Sequence, residues 1–338
     1  MGIKEKKLLG TVFICLVFLA LVTGLFLSNK RNVNNVKRLT NESDGATDVV
    51  SIEDSATPTT DTFDGSVTYK GKRFEVNRSI DKVLFLGIDT SDLSREGIGI
   101  DEGGRSDTII LFVIDNDNNI ITPLEINRDT MVDVDIYDND GNYLSQGEMQ
   151  LTMQYAYGDS PRKACSLTKE KVSDLLGRTR INSVISLTMD GIEPIVDSLG
   201  GITLKLQTDE TDLDPAYTEG AVIHLDGAAA KAFVHNRDVE TRGSNISRMS
   251  RQTQFMMALF QTIKSQGDSV IETMEEAAGD YLYKDIDADS VDHLSSYEYS
   301  EEVRFLPGEN NTEGIHDEFY VDEDKLTDLI LELFYKES

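Results

Sequence analysis

Residues 82–89, Lys-Val-Leu-Phe-Leu-Gly-Ile-Asp, form the stretch that decides the fold. Their short apolar run, which ends in an aspartate, is typical of a strand buried on both faces. A second apolar run covers 108–114 and a third covers 120–126. The Asp/Asn-rich segment 115–119 between them predicts a tight turn. Together these runs predict a sheet at the centre of the domain.

Helical patterns and further short strands surround these three runs. The apolar spacing predicts helices over 149–157, 161–176, 192–199, 226–234, 246–265 and about 322–335, and strands over 184–187 and 202–206. Gly200-Gly201 stops one of these helices. The alternation predicts an α/β fold, a layered sheet flanked by helices.

The N-terminus predicts a membrane anchor. Residues 8–27 carry no charge and are long enough to cross a bilayer core of about 30 Å. We expect one transmembrane helix there, with residues 1–7 in the cytoplasm and the main domain outside. A cleaved signal peptide is the alternative, although its apolar region is usually shorter and ends in a small-residue cleavage site.

The rest of the chain is strongly acidic and divides into three parts. The formal net charge is −29, yet residues 1–38 contain seven Lys or Arg and one Glu, so the remainder carries −35. This charge excludes nucleic acid as a partner, because phosphate binding needs local cations. Polar residues 28–66 predict a flexible extracellular linker, residues 67–270 the main domain, and residues 271–338 a C-terminal segment that completes it.

An arginine cluster near the start of the predicted helix 246–265 is the first candidate site. Residues 235–252 contain four arginines, no lysine and a glutamine: Arg237, Arg242, Arg248, Arg251 and Gln252. Arginine is the fork-shaped donor that suits phosphate, and basic residues in a first helical turn oppose the helix dipole unless an anion binds there. These residues indicate an oxyanion site. Structural ion pairs with the many acidic residues are the alternative.

A second candidate site lies at the ends of the predicted strands. Asp89 ends the first strand, and Arg105 and Asp107 open the second. If these strands are neighbours, the two aspartates meet at one edge of the sheet, where Mg²⁺ could bind them together with substrate phosphates. Arg128 and Asp129 follow the third strand at what could be the same edge. The alternative is that aspartates at strand ends only form turns.

Several motifs, in this order, resemble the LytR-CpsA-Psr family over about residues 82–265, with a weaker match to 338. They are 82–89, Arg105-Ser106-Asp107-Thr108, Ile126-Asn127-Arg128-Asp129-Thr130, Tyr155-Ala156-Tyr157-Gly158, Asp197–Ile202, 233–237, 247–252 and Phe305-Leu306-Pro307-Gly308. The resemblance implies the family's α/β sheet core with an apolar cleft for a lipid chain. Segment 255–260, rich in Phe and Met, is a candidate for that cleft, or an ordinary part of the core.

The resemblance also implies an activity. Family members are membrane-anchored extracytoplasmic phosphotransferases of Gram-positive bacteria. They move a glycopolymer, such as a teichoic acid or capsule, from a polyprenyl-pyrophosphate carrier to peptidoglycan, next to the cytoplasmic membrane.

Carried over by position, the family's site gives roles to nine residues. Asp89 and Asp107 would bind Mg²⁺, and Asp129 would support Arg128. The pyrophosphate would be held by Arg105, Arg128, Arg237, Arg248, Arg251 and Gln252. Of these, Asp89, Arg105, Asp107, Arg128 and Asp129 are the expected catalytic residues.

Two departures from the family pattern keep an alternative function open beside the phosphotransferase. His235 stands where the first of two paired arginines is usual, and Asn245 stands in place of an acidic residue. If the missing acid activates the acceptor hydroxyl, the protein would turn its substrate over slowly. The alternative is therefore a surface module that binds polyprenyl-pyrophosphate without efficient turnover, in cell-envelope regulation or scaffolding.

Overall fold

A computed structural model describes residues 59–61, 66–94, 97–99, 103–236, 244–267, 269–286, 296–300, 302–313 and 316–338. The chain divides into two compact units, Met1–Ser55 and Ala56–Ser338, and all described residues belong to the second. The predicted transmembrane helix over 8–27 lies outside the described residues. Within them, no helix is both long and apolar enough to cross a membrane.

The described strands, in chain order, are β1 Thr59–Asp61, β2 Ser66–Tyr69, β3 Lys72–Val76, β4 Ile80–Ile88, β5 Ser106–Asp115, β6 Ile120–Glu125, β7 Met131–Tyr137, β8 Tyr143–Gln150, β9 Ser183–Thr188, β10 Ile202–Lys205, β11 Val222–Leu225, β12 Leu282–Asp285, β13 Glu298–Tyr299, β14 Arg304–Phe305, β15 Gly308–Asn311, β16 Glu318–Val321 and β17 Tyr335–Glu337. The α-helices are α1 Pro161–Leu175, α2 Ile192–Ser198, α3 Gly227–His235, α4 Ser244–Gln266, α5 Ser269–Ala278 and α6 Glu323–Phe334. Leu151–Tyr157, Met189–Gly191 and Gly279–Tyr281 are 3₁₀ helices.

A seven-stranded mixed sheet forms the centre, in the order β12-β9-β4-β5-β6-β13, with β14 also paired to β6. Strands β4, β5 and β6 are antiparallel neighbours, while β9 runs parallel to β4. The predicted sheet of three apolar runs is confirmed, as is the tight turn, where Asp115 Oδ1 accepts hydrogen bonds from the amides of Asp117 and Asn118.

The two faces of the sheet carry separate hydrophobic cores. One face, with Leu84 and Leu111, packs against α1, α6 and the 3₁₀ helix 151–157. The opposite face, with Val83 and Phe112, packs against α2, α3, α4 and α5. Since helices cover both faces, the layered α/β prediction is confirmed.

Local signals explain most helix boundaries. Ser160 caps α1 by accepting a hydrogen bond from the Lys163 amide at 3.3 Å, and Pro161 occupies the first turn. Helix α4 extends from Ser244 to Gln266, two residues earlier than predicted. The predicted helix over 149–157 is wrong at its start, because residues 149–150 end β8 and only 151–157 are helical, as 3₁₀.

Strand pairing also joins segments that are far apart in sequence. Strand β12, from the C-terminal segment, pairs with β9 at the edge of the central sheet. Strand β17 pairs with β3 in a four-stranded sheet that also contains β1 and β2. Residues 59–61 therefore lie in a strand, although the sequence places them in the linker.

Candidate functional site

Three strand ends meet at one edge of the central sheet. The Asp89 amide donates a hydrogen bond to the Arg105 carbonyl at 2.9 Å, which joins the end of β4 to the start of β5. The Ile126 amide donates to the Ile109 carbonyl at 2.9 Å, which places the residues after β6 at the same edge. The antiparallel order β4-β5-β6 thus brings together the polar residues at 89, 105–107 and 127–129, as the sequence predicts.

A β-bulge explains the position of Asp107. Gly87 pairs with Thr108, but Ile88 pairs with Ser106, so Asp107 is the extra residue on β5. Ser106 Oγ faces the 3₁₀ helix, with Thr152 O at 3.5 Å, while Asp107 contacts α4 on the other side of the sheet. A bulge interrupts the strand's alternation and re-aims a side chain. The bulge thereby turns the Asp107 carboxylate toward Arg248 of α4.

Asp107 is held by two arginines in a buried cluster. Its Oδ1 forms an ion pair with Arg128 Nη1, and its Oδ2 accepts a hydrogen bond from Arg248 Nη1 at 3.1 Å. All three side chains are buried. Arg128 comes from the end of β6 and Arg248 from the first turns of α4, so the cluster joins two elements that are distant in sequence.

Asp129 completes the charge balance of this cluster. Its Oδ1 lies 3.4 Å from Arg128 Nε and accepts a hydrogen bond from Gln150 Nε2 at 2.8 Å. Burial raises the pKa of Asp129 above its ordinary value, against the opposing effect of Arg128. Asp107 and Asp129 thus lie against the guanidinium groups of Arg128 and Arg248.

Arg105 and Asp89 form a more exposed pair beside the buried cluster. Arg105 Nη2 lies 3.1 Å from Asp89 Oδ2, with 40% and 33% of the side chains exposed. A pair with this exposure contributes little to stability. Both groups are accessible to a ligand that reaches this edge.

The loop between β4 and β5 is fixed by close contact with the 3₁₀ helix. The Gly99 amide donates to the Ala156 carbonyl at 3.0 Å, and a Cβ on Gly103 would lie only 2.1 Å from the same oxygen. Gly158 is equally constrained, because a Cβ there would meet the Ala164 amide nitrogen at 2.2 Å. The motif 155–158 therefore supports the loop that leads to Arg105.

An apolar cavity lies between the sheet and helices α2, α4 and α5, with a volume of about 1420 Å³ including the open solvent at its mouth. Gly87, Thr108 and Gln252 line the end that is nearest in sequence to Asp89, Asp107 and Arg248. The remaining wall is almost wholly apolar, apart from the ion pair between Glu275 and Lys284. An apolar cavity with a few polar groups at one end suits a ligand with an apolar chain and a polar head.

Segment 255–260 contributes to this cavity in part. Phe255, Met256, Leu259 and Phe260 line it, whereas Ala258 packs into the core without lining it. Gln252, one turn before Met256, donates from Nε2 to the Val234 carbonyl at 3.2 Å, while its buried Oε1 has no hydrogen-bond partner among the described residues.

The structure separates Arg251 from the other candidate residues. Its Nη1 lies 2.8 Å from Glu210 Oε2, its Nε donates to the Phe233 carbonyl at 2.8 Å, and its Nη2 donates to the Asn236 carbonyl. With 1% of its surface exposed, Arg251 has all its nitrogens committed to the fold. These contacts favour the structural ion pair, which was the alternative to a role in pyrophosphate binding; that role stays a prediction.

The other residues singled out in the sequence are in part outside the described residues. Arg237 and Arg242 lie outside the described residues, as does the side chain of Asn245. His235 is the last residue of α3 and is exposed. No group of three or more His, Cys, Asp or Glu residues capable of holding a metal occurs within the described part of the chain. A cation at Asp89 and Asp107 would need further ligands from its substrate or from water.

Sequence reasoning missed two buried polar groups near this edge. Gln150 donates to Asp129 and also to the Asp317 carbonyl at 2.7 Å. Glu125 lies in the predicted strand 120–126 and is 2% exposed. A lone acidic residue in an apolar strand was a signal for Glu125, whereas the role of Gln150 depends on a hairpin that was not predicted.

Comparisons with known proteins identify relatives of this chain. The chain is 26% identical to the polyisoprenyl-teichoic acid–peptidoglycan teichoic acid transferase TagU of Bacillus mycoides, over 67% of this chain and 74% of the relative. It is 26% identical to the transferase TagV of Bacillus subtilis, over 60% of this chain but only 49% of the relative. The solved structure of TagT bound to LI-WTA has a similar fold, with a TM-score of 0.57, 20% identity, and coverage of 76% of this chain and 90% of that one. The model of the LytR_cpsA_psr family matches residues 41–332, and the chain therefore belongs to that family.

Proposed function

We propose that this protein is a membrane-anchored, extracytoplasmic phosphotransferase. It moves a glycopolymer from a polyprenyl-pyrophosphate carrier to peptidoglycan at the outer face of the cytoplasmic membrane. The observation that carries the proposal is the apolar cavity whose polar end adjoins the cluster of Asp107, Arg128 and Arg248. The names of the relatives TagU and TagV support the same reaction.

The apolar cavity and the arginine cluster bind different parts of the carrier. The polyprenyl chain occupies the apolar cavity, because burying its methylene groups is favourable by about 0.8 kcal/mol each. The pyrophosphate lies at the polar end, where Arg128 and Arg248 provide charged donors and Arg105 closes from the exposed side. In this proposal the phosphorus to be attacked lies on the solvent side, from which the acceptor approaches.

The transfer is a substitution at the phosphorus that carries the glycopolymer. The acceptor hydroxyl of peptidoglycan forms a new P–O bond and loses its proton to water, the P–O bond to the bridging oxygen breaks, and polyprenyl phosphate leaves. Catalysis of this chemistry depends mainly on positioning and on stabilising negative charge. Arg128 and Arg248 are placed to stabilise the charge on the leaving phosphate, and Arg105 the charge on the other phosphate.

Asp89 and Asp107 would hold Mg²⁺. The two carboxylates fit this ion, because Mg²⁺ is commonly bound by one or two carboxylates together with substrate phosphates and water. Their carboxylate oxygens, which contact Arg105, Arg128 and Arg248 in this structure, would be the ligands. When bound, the ion supplies neutralisation of charge on the pyrophosphate oxygens.

The test uses the purified full-length chain with a synthetic polyprenyl-pyrophosphate oligosaccharide and a peptidoglycan fragment. Release of polyprenyl phosphate is followed with Mg²⁺ and with a chelator, for the wild type, for Asp107→Asn and for the surface control Asp117→Asn. We expect turnover that needs the metal, is reduced about 10²–10³-fold in Asp107→Asn, and is unchanged in the control. Tight binding without turnover would instead support the binding module.

A second comparison tests the cavity. Leu259→Trp places a larger side chain in the cavity wall, and Ile330→Trp is its control on the opposite face of the sheet. Leu259→Trp should impair turnover of long-chain carriers more than of short-chain ones, whereas the control should affect both equally. Equal effects of the two variants would contradict the placement of the lipid.

A further inference from the structure

Glu125 is a buried carboxyl group that the proposed reaction does not use. It ends β6, pairs with Ile110 of β5 and Phe305 of β14, and is 2% exposed. Its Oε2 accepts a hydrogen bond of 2.6 Å from Thr253 Oγ1, and its Oε1 has no hydrogen-bond partner among the described residues. A buried ionised carboxylate with one hydrogen bond and no cation is costly.

The Glu125–Thr253 contact links the two elements that carry the arginine cluster. Glu125 lies three residues before Arg128 on the strand side, and Thr253 lies five residues after Arg248 on α4. Thr253 also follows Gln252, which lines the polar end of the cavity. A change in the packing of α4 against Glu125 would therefore move Arg248 relative to Arg128, the two groups expected to hold pyrophosphate.

Among the residues that the structure describes, the groups around Glu125 offer no compensating cation. Tyr299 of β13 lies near it with a buried hydroxyl, and burial together with Glu125 raises the pKa of this tyrosine, so the phenol stays neutral. On α4, Arg248 is paired with Asp107. On β14, Arg304 is paired with Glu302 and Glu332. The two neighbours on β5 that share this face with Glu125, Ile110 and Phe112, are apolar.

Glu125 is also next to the cavity wall. The Tyr299 ring contacts the rings of Phe260, at 4.6 Å between centroids, and Phe112, at 6.4 Å, and both phenylalanines line the cavity. Water drawn toward an ionised Glu125 would disturb these aromatic contacts as well as the position of α4.

We propose that protonated Glu125 is a positioning residue that holds α4 on the sheet, and that its ionisation loosens α4 and weakens pyrophosphate binding. The consequence for binding rests on the proposed function, while the loosening of α4 does not. Burial raises the pKa of Glu125 from its ordinary 4.5 to about 7. The proton is therefore held more tightly when α4 is packed on the sheet. Its stabilising contribution to this packing is complete below pH 4.5 and is lost progressively as the pH rises to about 7.

The size of the effect follows from that shift. If loosening of α4 returns Glu125 to an ordinary pKa, the equilibrium constant for loosening rises roughly 30-fold between pH 5.5 and pH 8. Amide hydrogen exchange in α4, corrected for the intrinsic pH dependence of exchange, reports this constant without a ligand. Replacement Glu125→Gln keeps an acceptor for Thr253 and removes the titration.

The experiment measures this exchange in the full-length chain at both pH values for the wild type, for Glu125→Gln and for the surface control Glu276→Gln. We expect protection of α4 to fall with pH in the wild type and the control and to be constant in Glu125→Gln. A wild-type change below twofold, or the same change in Glu125→Gln, would overturn the proposal. Thr253→Val, which removes the donor, should lower protection at both pH values if the contact holds α4.

A binding measurement separates this inference from the proposed function. Geranyl pyrophosphate serves as the probe in calorimetry at pH 5.5 and pH 8. Affinity should fall with pH in the wild type and stay level in Glu125→Gln, once the probe's own ionisation is subtracted. Absence of binding at both pH values would count against the pyrophosphate site, while the exchange result would still decide the role of Glu125.

Discussion

Arg251 provides the sharpest test of which arginines stabilise the fold and which bind the anion. It is 1% exposed and its partner Glu210 is 3% exposed. Its contacts are the 2.8 Å ion pair, the 2.8 Å hydrogen bond to the Phe233 carbonyl and the hydrogen bond to the Asn236 carbonyl. Replacement Arg251→Met removes all of them and leaves a carboxylate buried without a cation.

The expected cost is large, since breaking one side of a buried ion pair typically costs about 3–5 kcal/mol. In the double variant Arg251→Met, Glu210→Leu the buried charge is absent. The double variant should therefore recover part of the stability, though not all, because two carbonyl groups remain without their donor at about 1–3 kcal/mol each. The comparison variant Arg248→Met should cost less, because Asp107 keeps Arg128 as a partner.

The assay is urea unfolding of the purified chain, followed by circular dichroism because the sequence has no tryptophan. A loss below about 1 kcal/mol in Arg251→Met, combined with loss of geranyl pyrophosphate binding, would refute the structural role and return Arg251 to the anion site. Full stability with unchanged binding would refute both roles.

Three further predictions concern the supporting structure. Gly103→Ala should lower both the thermal midpoint and the turnover, because its Cβ would lie 2.1 Å from the Ala156 oxygen; an unchanged midpoint would contradict the close packing. Asp226→Ala removes the N-cap of α3 and should reduce the free energy of unfolding by about 1 kcal/mol, measured by urea titration, with Asp226→Asn as the conservative control. Burial lowers the pKa of Lys82, whose amine lies 4.9 Å from the centre of the Phe334 ring. Stability should therefore rise as pH approaches the ordinary value of 10.5, and Lys82→Met should raise the thermal midpoint at pH 7 and flatten this dependence; a lower midpoint would show that the buried amine is stabilising.

Much of the central fold could be predicted from the sequence. The apolar runs of β4, β5 and β6 are explained by burial on both faces of the sheet, and their turn by Asp115. Helix α6 was predicted within one residue at each end, 322–335 against Glu323–Phe334. Such elements depend on local periodicity and capping, which neighbouring residues supply.

Other elements were not predicted from the sequence, for two different reasons. Strand β7 does carry a local signal, because Val132, Val134 and Ile136 alternate with Asp133 and Asp135, so it could have been predicted as a half-buried strand. Its partner β8 is mostly exposed and polar. Strand β17 is short and depends on β3, which lies more than 250 residues earlier, so it carries no periodic signal of its own.

The sequence by itself determined which residue types could form an anion site and where the three central strands lie, since composition and hydrophobic periodicity are local properties of the chain. Only the tertiary structure decided which arginine serves which purpose. Arg248 and Arg251 lie three residues apart on one helix, yet the first meets Asp107 and the second Glu210. That division depends on the bulge at Asp107 and on the position of the loop with Glu210. Burial fixes this difference between the two arginines, because a guanidinium group removed from water needs hydrogen-bond and charge partners, and the fold supplies them.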